Sequence, residues 1–173
     1  MNDVLDVLKN RRSVRAYKDS MPSKDVIEKI VEAGSYAPTG CNLQSPVIIA
    51  VTDKTERDYL SRLNAAVLGT DNDPFYGAPV VLVVLADRKC PTFIYDGSLV
   101  MGNLMNAAFS LGIGSCWVHR AKEVFNSEEG KKLLKKWGLT DDYEGIGHCV
   151  LGYPVSENIM PASPRKPDYC RFV

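Results

Sequence analysis

The run Ala78-Pro79-Val80-Val81-Leu82-Val83-Val84-Leu85-Ala86 constrains this chain more than any other stretch. It carries no charge and is dominated by β-branched and aliphatic side chains, which fits a buried strand. It is far too short to span a bilayer. Whatever the chain folds into must cover this strand, and the surrounding pattern supplies the cover.

Val4, Leu5 and Leu8 give a first helix an apolar face, ending near Asn10. Ser23 caps a second helix that buries Val26, Ile27, Ile30 and Val31 and stops at Gly34. Val47 to Val51 reads as a buried strand. Asp53 and Glu56 form a capping box for a helix reaching Leu63 or beyond. Leu68 to Tyr76 is a polar loop. Ile94 to Leu111 is a long helix of weak charge, with Gly97, Gly102, Ala107 and Ala108 implying close burial, including against a second subunit. Ser115 to His119 is a short strand. Asn126 or Ser127 caps a basic amphipathic helix through Trp137, stopped by Gly138. Ile146 to Leu151 is a fourth strand, closed by Gly152-Tyr153-Pro154. Helices and strands alternate without repeats, which predicts one α/β or α+β domain over residues 1–173 around a sheet of about four strands. The tail from Pro161 ends in Phe172-Val173 and is too apolar for plain disorder, so it is expected to pack on something, such as another subunit.

Composition excludes several partners. Lys plus Arg and Asp plus Glu each total 21, so no basic excess is present to bind nucleic acid or a membrane surface. The start, Met1-Asn2-Asp3, has no apolar signal core, and a cytoplasmic location is expected. Five cysteines, Cys41, Cys90, Cys116, Cys149 and Cys170, stand far apart with no CxxC, so reduced thiols are expected rather than a metal framework. His148 beside Cys149 reads as a core pair.

The chemistry-bearing candidate is Arg11-Arg12-Ser13-Val14-Arg15. In an extended segment Arg11, Ser13 and Arg15 share a face, and that face could chelate a dianion. A solvated basic turn is the plainer alternative. No Gly-x-Ser-x-Gly, Walker or HExxH motif occurs. Gly112-Ile113-Gly114 follows a helix, so it is a helix stop and not a dinucleotide fingerprint. Without acid, base or metal clusters, difficult chemistry would fall to a bound cofactor.

Five motifs in order carry a resemblance: Arg11-Arg12-Ser13-Val14-Arg15, Pro38-Thr39-Gly40-Cys41-Asn42-Leu43-Gln44, Gly112-Ile113-Gly114-Ser115-Cys116-Trp117-Val118, Leu151-Gly152-Tyr153-Pro154 and Pro164-Arg165-Lys166-Pro167. Together the chain resembles the FMN-dependent nitroreductase family nearly end to end. The resemblance implies an α+β nitroreductase-like fold with a mainly antiparallel or mixed sheet of about four strands. It implies FMN as cofactor, with the phosphate held by Arg11 and Arg165, helped by Arg12. It implies Ser13 beside the ribityl-phosphate and Arg15 at the pyrimidine edge. Pro38, Thr39, Gly40, Asn42 and Gln44 resemble the loop that reaches the flavin from the other subunit of a homodimer. Asn64 resembles the family's amide near the pyrimidine edge, and Trp117, Val118 and His119 the strand end against the ring. Each residue also has a plainer reading: Trp117 as core, Asn42 and Gln44 as turn residues, Arg165 as solvated.

The sequence departs from the family where Ala65-Ala66-Val67 follow Asn64 instead of a second basic residue. Ser163 stands where lysine is common, leaving Lys166 as a substitute, and His119 stands where many relatives are acidic. The chain is short for the family, which implies a trimmed lid. The implied activity is transfer of hydride from NADH or NADPH through flavin N5 to an electron-poor acceptor, a nitroaromatic or quinone, in a ping-pong cycle. The alternatives are an FMN carrier or a redox sensor using Cys41, and a dehalogenating or flavin-fragmenting relative.

Overall fold

The computed structural model describes residues 4–155 and 159–173; Met1-Asn2-Asp3, on which the signal expectation rests, lie outside them. Four strands form one antiparallel sheet in the order β1-β2-β4-β3: β1 Pro46–Val51, β2 Val80–Asp87, β3 Gly114–Val118 and β4 Tyr143–Gly152. The long apolar run is the inner strand β2, paired with β1 on one side and β4 on the other. Alternation sorts its side chains into two layers. Leu82, Val84 and Ala86 face α2 (Lys24–Ser35) and α4 (Phe93–Ser110). Val81, Val83 and Leu85 face α3 (Lys54–Leu68), α5 (Ala121–Asn126) and α6 (Glu128–Lys136). This is why β2 is apolar at every position.

A bulge separates Val84↔Gly147 from Leu85↔Gly145 and leaves Ile146 as the extra residue on β4. Ile146 thereby turns toward α4, where a Cβ on Gly97 would come within 2.5 Å of its Cγ1. The close burial expected of α4 holds at Gly97. A Cβ on Gly102 would meet no atom of another element within 4 Å among the described residues.

The caps expected at Ser23, Asp53 and Ser127 are present, accepting from the amides of Val26, Glu56 and Gly130. The capping box is half formed, because the Glu56 carboxylate bonds Trp137 and Lys136. Gly34 is not the stop of α2. It lies inside the helix, where a Cβ would meet Leu104 at 2.4 Å, so it permits packing on α4. The helix α5 was not legible as a separate element. The first helix α1 (Val4–Asn10) differs from expectation: it buries Val7 while Val4, Leu5 and Leu8 are exposed. Its exposed apolar side chains lie at the surface of the single chain. The tail is likewise exposed throughout residues 159–173, apart from a 3₁₀ turn at Pro167–Tyr169. Among the described residues no helix is long and apolar enough to cross a membrane.

Candidate functional site

The segment after α1 runs beside the edge strand β3. Ser13 bridges Ser115 in parallel, and the Val14 amide donates to the Ser115 carbonyl at 2.9 Å. Further on, Tyr17 bridges Pro154, and the Tyr17 hydroxyl donates back to the Val14 carbonyl at 2.6 Å. The segment is therefore extended, and alternate residues share a face as the spacing predicts. Val14 turns inward, against Gly114. Around Cys116, burial pushes the thiol up while Arg15, a Ser13 hydrogen bond and Arg11 pull the other way. Arg11, Ser13 and Arg15 thus bear on one sulfur.

Arg11, Arg12 and Ser13 line a cavity of about 660 Å³ with Lys9, Pro161, Ala162, Ser163 and Arg165. This brings the expected phosphate residues of both chain ends together. The wall holds four cationic side chains and no carboxylate. Arg12 donates to the carbonyls of Lys9 and Arg11, and Arg165 to that of Ser163. Arg11 Nη1 is buried with no hydrogen-bond partner. A buried guanidinium nitrogen left unmatched is costly, and a phosphate oxygen would match it. The donor set fits a phosphomonoester.

At the far end of β3 the chain turns into α5. Val118 is buried and His119 exposed. Asn64 is fully buried on α3, and its amide is committed: Nδ2 donates to the His119 carbonyl at 2.8 Å, and Oδ1 accepts from Arg120 Nε at 3.0 Å. Behind it lies His148, 3.4 Å from Asn64 Nδ2 and packed between Phe75 and Phe125. Burial drives the His148 imidazole down to about 4, so it is neutral. Trp117 points to the opposite layer and lies on Gly147, with its indole Nε1 buried and unpartnered.

The Pro38–Gln44 loop lies elsewhere. Thr39 and Gln44 line a separate cavity of about 260 Å³, which shares no wall residue with the arginine cavity. Pro38, Asn42 and Gln44 are exposed. Cys41, Asn42 and Gln44 all have positive φ, of 50°, 54° and 51°, which L-residues disfavour. Buried Asp96 anchors the loop, accepting from the Gly40 amide, the Ser45 hydroxyl and the Thr92 hydroxyl, each at 3.0 Å. A Cβ on Gly40 would lie 2.3 Å from Thr92 Oγ1, so only glycine fits there.

Asp96 and Arg120 escaped the sequence reading. Asp96 left a signal, being the lone charge in an otherwise uncharged helix. Arg120 left none, since its place depends on Asn64, far away in the chain.

Comparison with known proteins identifies the family and the fold. A model described as the nitroreductase family matches residues 8–70 and 66–153. An Archaeoglobus fulgidus protein, provisionally named an NADH dehydrogenase/NAD(P)H nitroreductase, is 33% identical over 163 residues, covering 91% of this chain and 88% of its own. An FMN reductase [NAD(P)H] of Bacillus subtilis is 27% identical over 184 residues, covering 96% and 71%. The crystal structure of a Bacteroides fragilis nitroreductase with bound FMN superimposes with a TM-score of 0.90 at 27% identity, each chain covered 100%. A solved nitroreductase therefore shares this compact length. With the motifs, the four-stranded sheet and the family model in agreement over most of its length, the chain belongs to the nitroreductase family.

Proposed function

We propose that this chain is an NAD(P)H-dependent FMN oxidoreductase, and that residues 1–173 act as one flavin-binding unit. The observation that carries the reading is the cavity walled by cations from both chain ends, with Arg11 on its wall and Arg11 Nη1 buried and unmatched. The FMN-bound neighbour and the NAD(P)H-linked relatives support it. Bound FMN would supply the hydride-accepting and electron-donating chemistry.

The residues around it would bind, orient and bias charge. Arg11, Arg12 and Arg165 would hold the phosphate, with Ser13 donating beside it. Arg15 would place a cation at the pyrimidine edge. Trp117, Val118 and His119 would bear on the ring through the strand end, with Asn64 fixing the His119 carbonyl rather than reaching out itself.

A homodimer completes the reading. The exposed faces of α1 (Val4, Leu5, Leu8) and α4 (Ile94, Tyr95, Leu99) leave apolar surface for a second copy. That copy would bring its Pro38, Thr39, Gly40, Asn42 and Gln44 to the flavin, and its tail would pack across the interface. Donor and acceptor would take turns on one open face in a ping-pong cycle, an electron-poor nitroaromatic or quinone being the acceptor. We read the protein as cytoplasmic.

The test is the visible spectrum of protein mixed with FMN, desalted, and titrated with NADH or NADPH without oxygen. A retained flavin band should bleach, then return on adding a nitroaromatic or quinone. No retained band overturns the reading. A band that neither donor bleaches favours a carrier.

A further inference from the structure

The cavity between the chain ends carries four cations, Lys9, Arg11, Arg12 and Arg165, and they are not equally free. Arg12 is the most committed. Its Nη1 donates to the Lys9 carbonyl at 2.8 Å and to the Arg11 carbonyl at 2.6 Å, the first being one of those a helix end leaves open. Arg165 donates from Nη2 to the Ser163 carbonyl at 2.7 Å. Lys9 is exposed, and its ammonium has no hydrogen bond or ion pair among the described residues.

Nothing on the wall answers that charge. No carboxylate lines the cavity. Asp6, one turn earlier on α1, forms no ion pair with Lys9. Lys9 stands in the last turn of α1, and the bond from Arg12 to its carbonyl fixes the backbone that presents the ammonium. On the tail side, Lys166 is not part of the wall; its ammonium lies 6.0 Å from the centre of the Tyr169 ring. The cation that α1 brings to the cavity is therefore unspent, while Arg12 beside it is half spent on holding α1.

Resting on the FMN reading above, we propose that Lys9 is a further phosphate-binding residue, and that Arg12 is the strut that positions it. A phosphomonoester carries a charge of about −2 near neutral pH. Arg11 and Arg165 offer it forked donors, and Lys9 adds a point charge from the mouth of the cavity. The phosphate of FMN and free inorganic phosphate share this chemistry, so the experiment separates them.

Lys9→Gln removes the charge and keeps most of the side chain; Lys9→Arg keeps the charge. The measurements are the dissociation constants for FMN and for riboflavin, which lacks the phosphate, the competition of inorganic phosphate against FMN, and the flavin-free Tm. In Lys9→Gln the FMN dissociation constant should rise about fivefold, the scale of a partly exposed charge pair. The loss should shrink at high salt and be absent in Lys9→Arg. Riboflavin affinity and flavin-free Tm should hold, because the Lys9 ammonium bonds nothing in the fold. Unchanged FMN affinity in Lys9→Gln overturns the proposal, as does an equal loss for FMN and riboflavin. Weaker competition by inorganic phosphate with FMN affinity intact assigns Lys9 to a free anion and also overturns it. If the unaltered protein retains no FMN, the FMN reading fails and the role of Lys9 falls with it. FMN held equally well by the unaltered protein and Lys9→Gln leaves that reading standing and removes Lys9 alone.

Discussion

Arg57 and Arg11 both take guanidinium nitrogen out of water, and their surroundings treat it in opposite ways. Arg57 has every direction matched. Its Nε donates to the Ala78 carbonyl at 2.9 Å, Nη1 to Asp58 at 3.1 Å and Nη2 to Asp73 at 2.5 Å, and the Phe75 ring lies 5.5 Å beneath. Asp73 is matched in turn, taking the Ser61 hydroxyl and the amides of Phe75 and Gly77. Burial lifts the Asp73 carboxyl, but the bonds from Arg57 and Ser61 outweigh that and leave it below the usual range. Around Arg11 the count does not close. Arg11 Nη1, Ser115 Oγ, Trp117 Nε1 and His148 Nε2 are buried and unpartnered. All four lie on or beside β3, and none of them is a hydrogen-bond partner of Arg57. A matched arginine clamps a loop to a helix; an unmatched one waits for a ligand. Polar groups buried without partners are rare, and a cluster along one strand marks where the fold gives up stability for a site.

Acid gives the largest test of that contrast. His148 belongs to the unmatched region and is held at about 4 against an ordinary value of 6.5. Above pH 6.5 neither folded nor unfolded chain binds this proton. Between 6.5 and 4 the unfolded chain binds it and the folded chain does not, so stability falls with pH across that window and then levels off. The loss is roughly 3 kcal/mol. Urea midpoints of the flavin-free protein at pH 7 and pH 4 measure it, and His148→Leu should remove most of the difference. The Arg57–Asp73 pair survives this window, because the lowered Asp73 carboxyl stays ionised until the pH drops beneath its ordinary 3.8. A pH 4 loss that persists in His148→Leu would assign the weakness elsewhere.

The next effects separate the two arginines directly. Arg11→Ala should raise the FMN dissociation constant about thirtyfold, the worth of a hydrogen bond between charged groups at about 2 kcal/mol. Its flavin-free Tm should stay level or rise, since an unmatched buried nitrogen is removed. Arg57→Ala should do the reverse. Stability should drop by about 2 kcal/mol, below the cost of breaking a fully buried pair because Asp73 still meets water. For a chain of this length that lowers Tm by about 4–8 °C, with FMN affinity of the folded protein unchanged. Swapped outcomes would mean that unmatched donors here carry no information about function.

The fold was largely legible because its signals are local or periodic. The apolar run predicted β2, and Ser23, Asp53 and Ser127 predicted three helix starts, each resting on side chains within a few residues. Gly34 was misread because a helical glycine looks the same whether it ends the helix or admits Leu104 from across the layer. The apolar face of α1 was visible in sequence, but not that Val7 would be its buried residue while Val4 and Leu8 stay exposed. That Arg11, Ser13 and Arg15 would share a face followed from alternation on the condition of an extended segment, which the bridge to Ser115 supplies. The meeting of Arg11 with Arg165 followed only from resemblance, as no local signal joins residues so far apart. Asp96 and Arg120 work through long-range hydrogen bonds to Gly40 and Asn64, and pairings of that kind leave no period to read.

The smallest expected effect probes strain instead of charge. The loop from Pro38 to Gln44 is well bonded, through Asp96 and through the Gln44 amide to Thr39 Oγ1 at 3.1 Å. Yet Cys41, Asn42 and Gln44 all stand in the left-handed region. If the loop resembles the Arg57 cluster, those bonds select the conformation and its residues are at ease. If it resembles the Arg11 region, the backbone is held at a cost for a surface it has yet to meet. Gln44→Gly distinguishes the two. Relief of the left-handed penalty is opposed by the extra freedom glycine has when unfolded, leaving a net gain of about 0.5 kcal/mol. The Tm should rise by about 1–2 °C, while FMN retention should weaken modestly if, as proposed, Gln44 reaches the flavin of a second copy. A lower Tm would place the loop with Arg57, as structure fully matched within its own chain.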